Sequence, residues 1–466
     1  MNKLLSAILV MAAAMPAAAQ QTLTLDSCRA MALGNNKTLT AAKVQRDMAK
    51  QLRKVARTKY LPHLDAVGGY TYTSREISIL NNEQKQMLSS IGTIAGGMFG
   101  IDNPQITGAM NQIGENLKSA LRTDTRNIYT VSAMVTQPVY MGGAIIAANK
   151  IADINEMMAA NNEEAAMQTT LHGIDKTYWT VVSLRHKQKL ADSYLQLVKK
   201  LDSDVQKMID EGVATRADGL KVSVKVNEAE MQVTQVEDGL SLAKMLLCQL
   251  CGMPATSQIT LADESKESID TEADVAVADT ETAIEQRPEM RLLQNAVELT
   301  RQTTKLTRAA YLPQVLLTGG YLMTNPSMFD GFNKKFAGMW NVGVMVRVPV
   351  WNWFEGVYKV RATKAATTIA RLEMDDTREK LDLQVNQSTF KLNEAYKKLD
   401  MAKKNVEKAE ENLRCANIGF KEGVLQTTDV MTAQTAWMQA QSQKIDAEVD
   451  VKISQTDLKK ALGILN

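Results

Sequence analysis

Residues 340–350 alternate along the chain. Trp340, Val342, Val344, Val346, Val348 and Val350 fall on one side, with Asn341, Gly343, Arg347 and Pro349 on the other. A period of two is that of a strand with one apolar face. Three more segments repeat it. Residues 64–72 place Leu64, Ala66, Gly68, Tyr70 and Tyr72 together; 129–139 place Tyr129, Val131, Ala133, Val135 and Val139; 315–323 place Val315, Leu317, Gly319, Tyr321 and Met323. Each segment is about the ~9–11 residues that cross a bilayer as a tilted strand, with Tyr and Trp near the ends as at a membrane interface. A soluble sheet with one face on a core fits the same periodicity. If the strands do span, four cannot close a barrel, and lipid tolerates no open sheet edge. Several copies must then pool their strands.

Two long segments follow a different rule. In 357–420, the positions Leu381, Val385, Ser388, Leu392, Ala395, Leu399, Ala402, Val406, Ala409, Leu413, Ala416 and Phe420 are spaced alternately four and three. In 144–209 the same seam reads Ile174, Thr177, Val181, Leu184, Gln188, Ala191, Leu195, Val198, Asp202, Val205 and Ile209. A sustained period of 3.5 is that of coiled-coil packing. A helix of ~65 residues would be about 100 Å long. Shorter helices are predicted at 27–59, 218–250, 283–309 and 428–462.

These elements are written twice. Tyr60-Leu-Pro…Gly-Gly-Tyr70 lies over Tyr311-Leu-Pro…Gly-Gly-Tyr321 at an offset of 251. Val131…Gln-Pro-Val139 lies over Val342…Val-Pro-Val350 at 211, so the first half carries 40 extra residues between Tyr72 and Tyr129. The offset of 211 also superposes Gly212 on Gly423 and Asp218 on Asp429. The expected organisation is a first repeat at 20–254, a polar mid-height element at 255–282 and a second repeat at 283–466. Strands are expected toward one end of each helical run and the two glycine turns toward the other.

Composition narrows the function. Net charge is +2, which gives no support to a general role with nucleic acid. The first 19 residues, with Lys3, a short apolar run and Ala17-Ala18-Ala19, read as a secretory signal peptide. No later apolar run reaches the ~20 residues of a spanning helix, so any membrane entry is as strands. Cys248 and Cys251 form a CxxC, but the repeat places Lys459 and Leu462 at those positions, which favours structural cysteines. One CxxC lacks the second pair a zinc site needs, and His63, His172 and His186 share no ligand spacing. No metal, cofactor or catalytic residue is expected.

The Tyr-Leu-Pro before each Gly-Gly-Tyr strand, Gln137-Pro-Val-Tyr-Met-Gly-Gly143 leading into a long helix, the paired Gly-x5-Asp turns and the Leu-x-Gly ends at Gly252 and Gly463 resemble the TolC-type outer membrane efflux proteins. The match runs across nearly the whole mature chain. The resemblance implies a mixed α and membrane-β fold. In it, a trimer builds a 12-stranded β-barrel from four strands per protomer, continued by a long periplasmic α-helical coiled-coil barrel. It implies a non-enzymatic outer membrane duct that exports substrates within a tripartite efflux system. The partners would be outer membrane lipid, a periplasmic adaptor and an inner membrane transporter, an RND-type pump being favoured over an ABC transporter. Protein secretion with an ABC transporter is the alternative.

By the same resemblance, the tip turns Gly212, Val213, Asp218, Gly423 and Val424 bear on the adaptor, and Asp429, Thr432 and Phe420 line the pore constriction. Relatives carry a Tyr at the place of Phe420, a polar or basic residue at Leu425 and a second acid at Thr432, so their latch does not carry over residue by residue. Asp218 and Asp429 also suit helix capping, where an acid contributes ~0.3–1 kcal/mol. The insertion, 73–126, falls outside the membrane in this architecture, as a lid over the mouth or as a tolerated surface loop. Two readings of other classes remain: a periplasmic redox enzyme on Cys248 and Cys251, and a soluble coiled-coil rod.

Overall fold

The computed structural model describes residues 21–76, 80–100, 103–122, 124–266, 268–271, 280–330 and 333–465. The expected signal peptide and part of the expected 255–282 element lie outside the described residues. In chain order the elements are β1 (Gln21–Leu23), α1 (Leu25–Asn35), α2 (Lys37–Thr58), β2 (His63–Tyr72), α3 (Asn82–Ser89), α4 (Ile91–Phe99), α5 (Pro104–Ala120), β3 (Asn127–Met141), α6 (Ala144–Asp210) and α7 (Arg216–Leu250). There follow β4 (Ile259–Leu261), a 3-10 turn (Ala262–Ser265), α8 (Thr280–Gln286), α9 (Pro288–Ala309), β5 (Gln314–Asn325), β6 (Ala337–Arg347), α10 (Glu355–Lys421) and α11 (Thr427–Ala461). Residues group into two compact units: one holds the chain up to Lys50 with Ile154–Leu299 and Thr367 onward, the other Gln51–Asp153 and Thr300–Ala366.

In the second unit, four strands form one antiparallel sheet in the order β2-β3-β5-β6. The register brings the four apolar sides together up to Gln137; a bulge between Pro138 and Tyr140 takes Val139 out of step, so Tyr140 rather than Val139 pairs with Val315. Ala66 pairs with Ala133, Ala133 with Tyr321, and Tyr321 with Trp340. Farther along the same face, Val135 pairs with Gly319 and Gly319 with Val342. Among the described residues nothing covers this face: Trp340 is 74% exposed and Val344 65%. β6 stops at Arg347, so Val348 and Val350 follow the strand rather than belong to it; Pro349 has no N–H to continue a ladder. β2 and β6 each keep one unpaired edge.

The insertion is not a bare loop. It carries α3, α4 and α5. Asn81 caps α3 through its side chain, which accepts from Gln84 N at 2.7 Å, and Gln84 Oε1 accepts from Asn81 N at 3.0 Å. Asn103 and Pro104 start α5. Glycines knit the helices together: a Cβ on Gly114 would lie 1.9 Å from the Leu88 carbonyl oxygen, and one on Gly92 2.2 Å from that of Thr107.

In the first unit, the seam of α10 is buried as its spacing requires, from Leu381 through Val385, Leu392, Leu399 and Val406 to Leu413. The helix expected at 27–59 is broken at Asn36. Its Oδ1 accepts from Thr38 and Leu39 N–H, capping α2, and its Nδ2 donates to the Leu250 carbonyl at 3.1 Å. The helix expected at 283–309 is broken likewise at Arg287, ahead of Pro288, and Arg287 Nη1 donates to the Ala461 carbonyl at 2.9 Å. The two halves thus repeat themselves down to one hydrogen bond. β1 pairs in parallel with β4 over Gln21–Leu23 and Ile259–Leu261. Next to it, Cys28, Cys248 and Cys251 are fully buried with Tyr178, Val181 and Leu247. Arg29 holds the buried carboxylate of Asp175 with both arms, at 2.7 and 2.5 Å. His172 pairs with Asp457 at 2.5 Å.

Candidate functional site: the two hairpin tips

Each long helix ends in the same turn. Gly212 and Gly423 adopt φ of +77° and +72°. In the first turn, Gly212 N–H donates to Ile209 O and Val213 N–H to Met208 O; in the second, Gly423 N–H donates to Phe420 O and Val424 N–H to Gly419 O. This is the Schellman arrangement, in which a left-handed residue lets the next amides satisfy the last helical carbonyls. A side chain at that φ costs roughly 1–2 kcal/mol. We expect Gly423→Val to loosen its tip by about that amount, read as faster proteolysis at 421–426 with the rest of the chain intact.

The residues after the glycine are bare. Val213 is 69% exposed and Val424 77%. The next helices then start on capping acids. Asp218 Oδ2 accepts from the Thr215 hydroxyl at 2.6 Å, and Thr215 Oγ1 accepts from Asp218 N–H. That hydroxyl, followed by Lys221, holds the Asp218 carboxyl below the usual carboxylate range. Asp429 Oδ2 accepts from Gln426 N–H at 2.9 Å. Both acids therefore cap their own helices, and Asp429 stays exposed. Thr432, one turn on, is also exposed, with its hydroxyl donated back to Thr428 O.

Phe420, the third residue expected at the constriction, is half-buried. It packs against the apolar cluster of Tyr194, Val198, Leu201, Val205, Val222 and Val430, where the two hairpins meet. Leu425 folds over Gly419, where a Cβ would lie 2.8 Å from its Cδ1. Between the hairpins runs a cleft of ≈ 690 Å³, lined by Lys200, Asp204, Lys207 and Glu211 from α6, by Asn417, Phe420 and Lys421 from α10 and by Gln434 from α11. Sequence reasoning missed this cleft. Gln434 is buried, and its Oε1 has no protein partner among the described residues. Among the described residues no group of His, Cys, Asp and Glu could hold a metal ion, and no helix is long and apolar enough to cross a membrane.

A sheet with one exposed apolar face, two helices of 67 residues and paired exposed tips define a membrane channel protein with a helical extension. The chain belongs to the outer membrane efflux protein family, whose pattern matches residues 29–253 and 280–464. Outer membrane efflux protein BepC of Brucella suis biovar 1 (strain 1330) is 22% identical over 362 residues, covering 77% of each chain. The fold is similar to that of the Campylobacter jejuni CmeC outer membrane channel, with TM-score 0.74, 16% identity and coverage of 94% of this chain and 85% of that one. It is also similar to the Vibrio cholerae outer membrane protein VceC, with TM-score 0.73, 16% identity and coverage of 94% and 96%. The protein is accordingly an outer membrane efflux channel of a tripartite system, with a helical extension in the periplasm.

Proposed function

We propose that three copies close the channel. Each contributes four strands, giving a twelve-stranded barrel whose lipid face is the shared apolar face of β2, β3, β5 and β6. The observation that carries this is the pair of unpaired edges on β2 and β6, which lipid cannot accept and a neighbouring copy can fill. The long helices pool in the same way into a periplasmic tunnel. The chain divides as its repeats do, into 20–254 and 283–466 with a mid-height element between. The duct does no chemistry and needs no cofactor.

The exposed turns at Gly212–Val213 and Gly423–Val424 dock a periplasmic adaptor, with Asp218 shaping the first. Asp429 and Thr432 line the narrow mouth, where a ring of three carboxylates favours cations over anions. Phe420 supports that mouth from the cleft wall. In this reading an RND-type pump drives export. A photocrosslinker at Val213 in living cells tests the docking: we expect it to capture an adaptor, with a proton-driven pump copurifying. An ABC transporter in its place shifts the reading to protein secretion, and capture of neither contradicts the docking role of the tips.

A further inference from the structure

The insertion between β2 and β3 presents two apolar stripes that remain exposed among the described residues. On α4 the stripe is Ile91, Ile94 and Met98, at helical spacings of three and four; on α5 it is Ile106, Ile113 and Leu117, at seven and four. Met98 is 80% exposed and Ile113 63%. Gly92 and Gly114 form the close contacts between these helices; Ile91 lies at the margin of that contact, its Cγ2 3.0 Å from a Cβ built on Gly114, and the other five stripe residues stand more open. Contiguous exposed patches of this kind are rare on a lone soluble surface and mark an interface.

We propose that the insertions of neighbouring copies pack against one another through these stripes, forming an apolar cap over the outer mouth of the channel. The proposal rests on the trimeric reading above. In it, strands that cross from periplasmic helices put the β2–β3 connection outside. β2 has an unpaired edge, which a neighbouring copy fills. The insertion continues that strand directly, because Thr73 N–H extends the ladder to Arg126 O at 2.8 Å. It therefore rises beside the seam between copies. The Glu76–Arg122 and Asp124–Arg126 pairs ion-link its base, away from the stripes.

The charge pattern favours a second copy over lipid. A helix lying in a membrane surface carries Lys or Arg on its polar side and aromatic anchors at the headgroups. α4 has no charged residue, α5 has only Glu115 and Lys118, and neither contains Trp or Tyr, Phe99 at the end of α4 being the one aromatic.

The test uses the full-length protein in intact cells, with p-benzoylphenylalanine at Met98 and, separately, at Ile113. Both positions are exposed, so folding is not at stake. After irradiation we expect most of the captured product to be a linked pair of chains at both positions, and little at Glu83 on α3. A native gel of the same samples reports the assembly. Trimers that yield no chain-to-chain product at either position overturn the cap and leave the trimer standing. Trimers captured instead on lipid or on another protein overturn it too. Absence of trimers overturns the cap and the trimeric reading together.

Discussion

Arginine in place of Val342 removes this protein from the outer membrane. Val342 sits midway along β6, on the face it shares with Gly319 and, one pair away, with Trp340 and Tyr321. If that face meets lipid, a guanidinium at mid-depth costs about 2–4 kcal/mol in each copy, and symmetry repeats the cost around the barrel. The neighbour on the other face supplies the control. Asn341 points away from the apolar side, and Asn341→Arg is expected to leave the amount of protein in the outer membrane near wild type. Fractionation with quantitative blotting reads both variants. Loss from Val342→Arg with retention of Asn341→Arg fits the assignment of faces. The opposite pattern places lipid on the wrong side of the sheet.

The second large effect is expected in the other compact unit, at Arg29 and Asp175. The carboxylate is 1% exposed and takes two N–H groups of the guanidinium, whereas Arg29 is 23% exposed and also reaches Asp26, so the acid is the charge with no water to fall back on. Breaking such a pair from one side costs on the order of 3–5 kcal/mol, because a buried charge is left alone. We expect Arg29→Met, which leaves the buried Asp175 carboxylate alone, to lower the melting temperature of the detergent-solubilised protein sharply. The double change Arg29→Met with Asp175→Leu should recover much of the loss, since an apolar pair of similar volume removes both charges at once. Equal melting of the single and double variants would show that cavity formation, rather than the orphaned charge, sets the cost.

What the sequence disclosed followed from period and repetition. The apolar sides of all four strands were readable because a period of two assigns every residue a face, and the register then joined those faces. The α10 seam was readable because ten of its spaced positions are buried against neighbours. The turns at Gly212 and Gly423 were readable as a pair because each needs a left-handed residue at the same offset.

Other features carried no such signal. The pairing of β1 with β4 joins segments only three residues long and more than two hundred positions apart. The break at Asn36 depends on a hydrogen bond to Leu250, which no local pattern encodes. The insertion's helices are short and glycine-rich, and glycine weakens a helical prediction even where it enables close packing, as at Gly92 and Gly114. Its cap signals at Asn81 and Asn103 were present in the chain and could have been used. At the tips, the acids were visible, but the cleft was not, because its walls come from α6, α10 and α11. Phe420 was placed at the constriction by resemblance alone; no local pattern announced the apolar cluster between the hairpins against which its half-buried ring packs.

The central claim is that an open four-stranded sheet becomes a channel only when several copies join. Native mass spectrometry of the protein released from the outer membrane in mild detergent tests it most directly. The account predicts a particle of three chains and no folded monomer outside the membrane. A monodisperse, water-soluble single chain would contradict it, because the unpaired edges of β2 and β6 and the bare face between them would then have no partner to need.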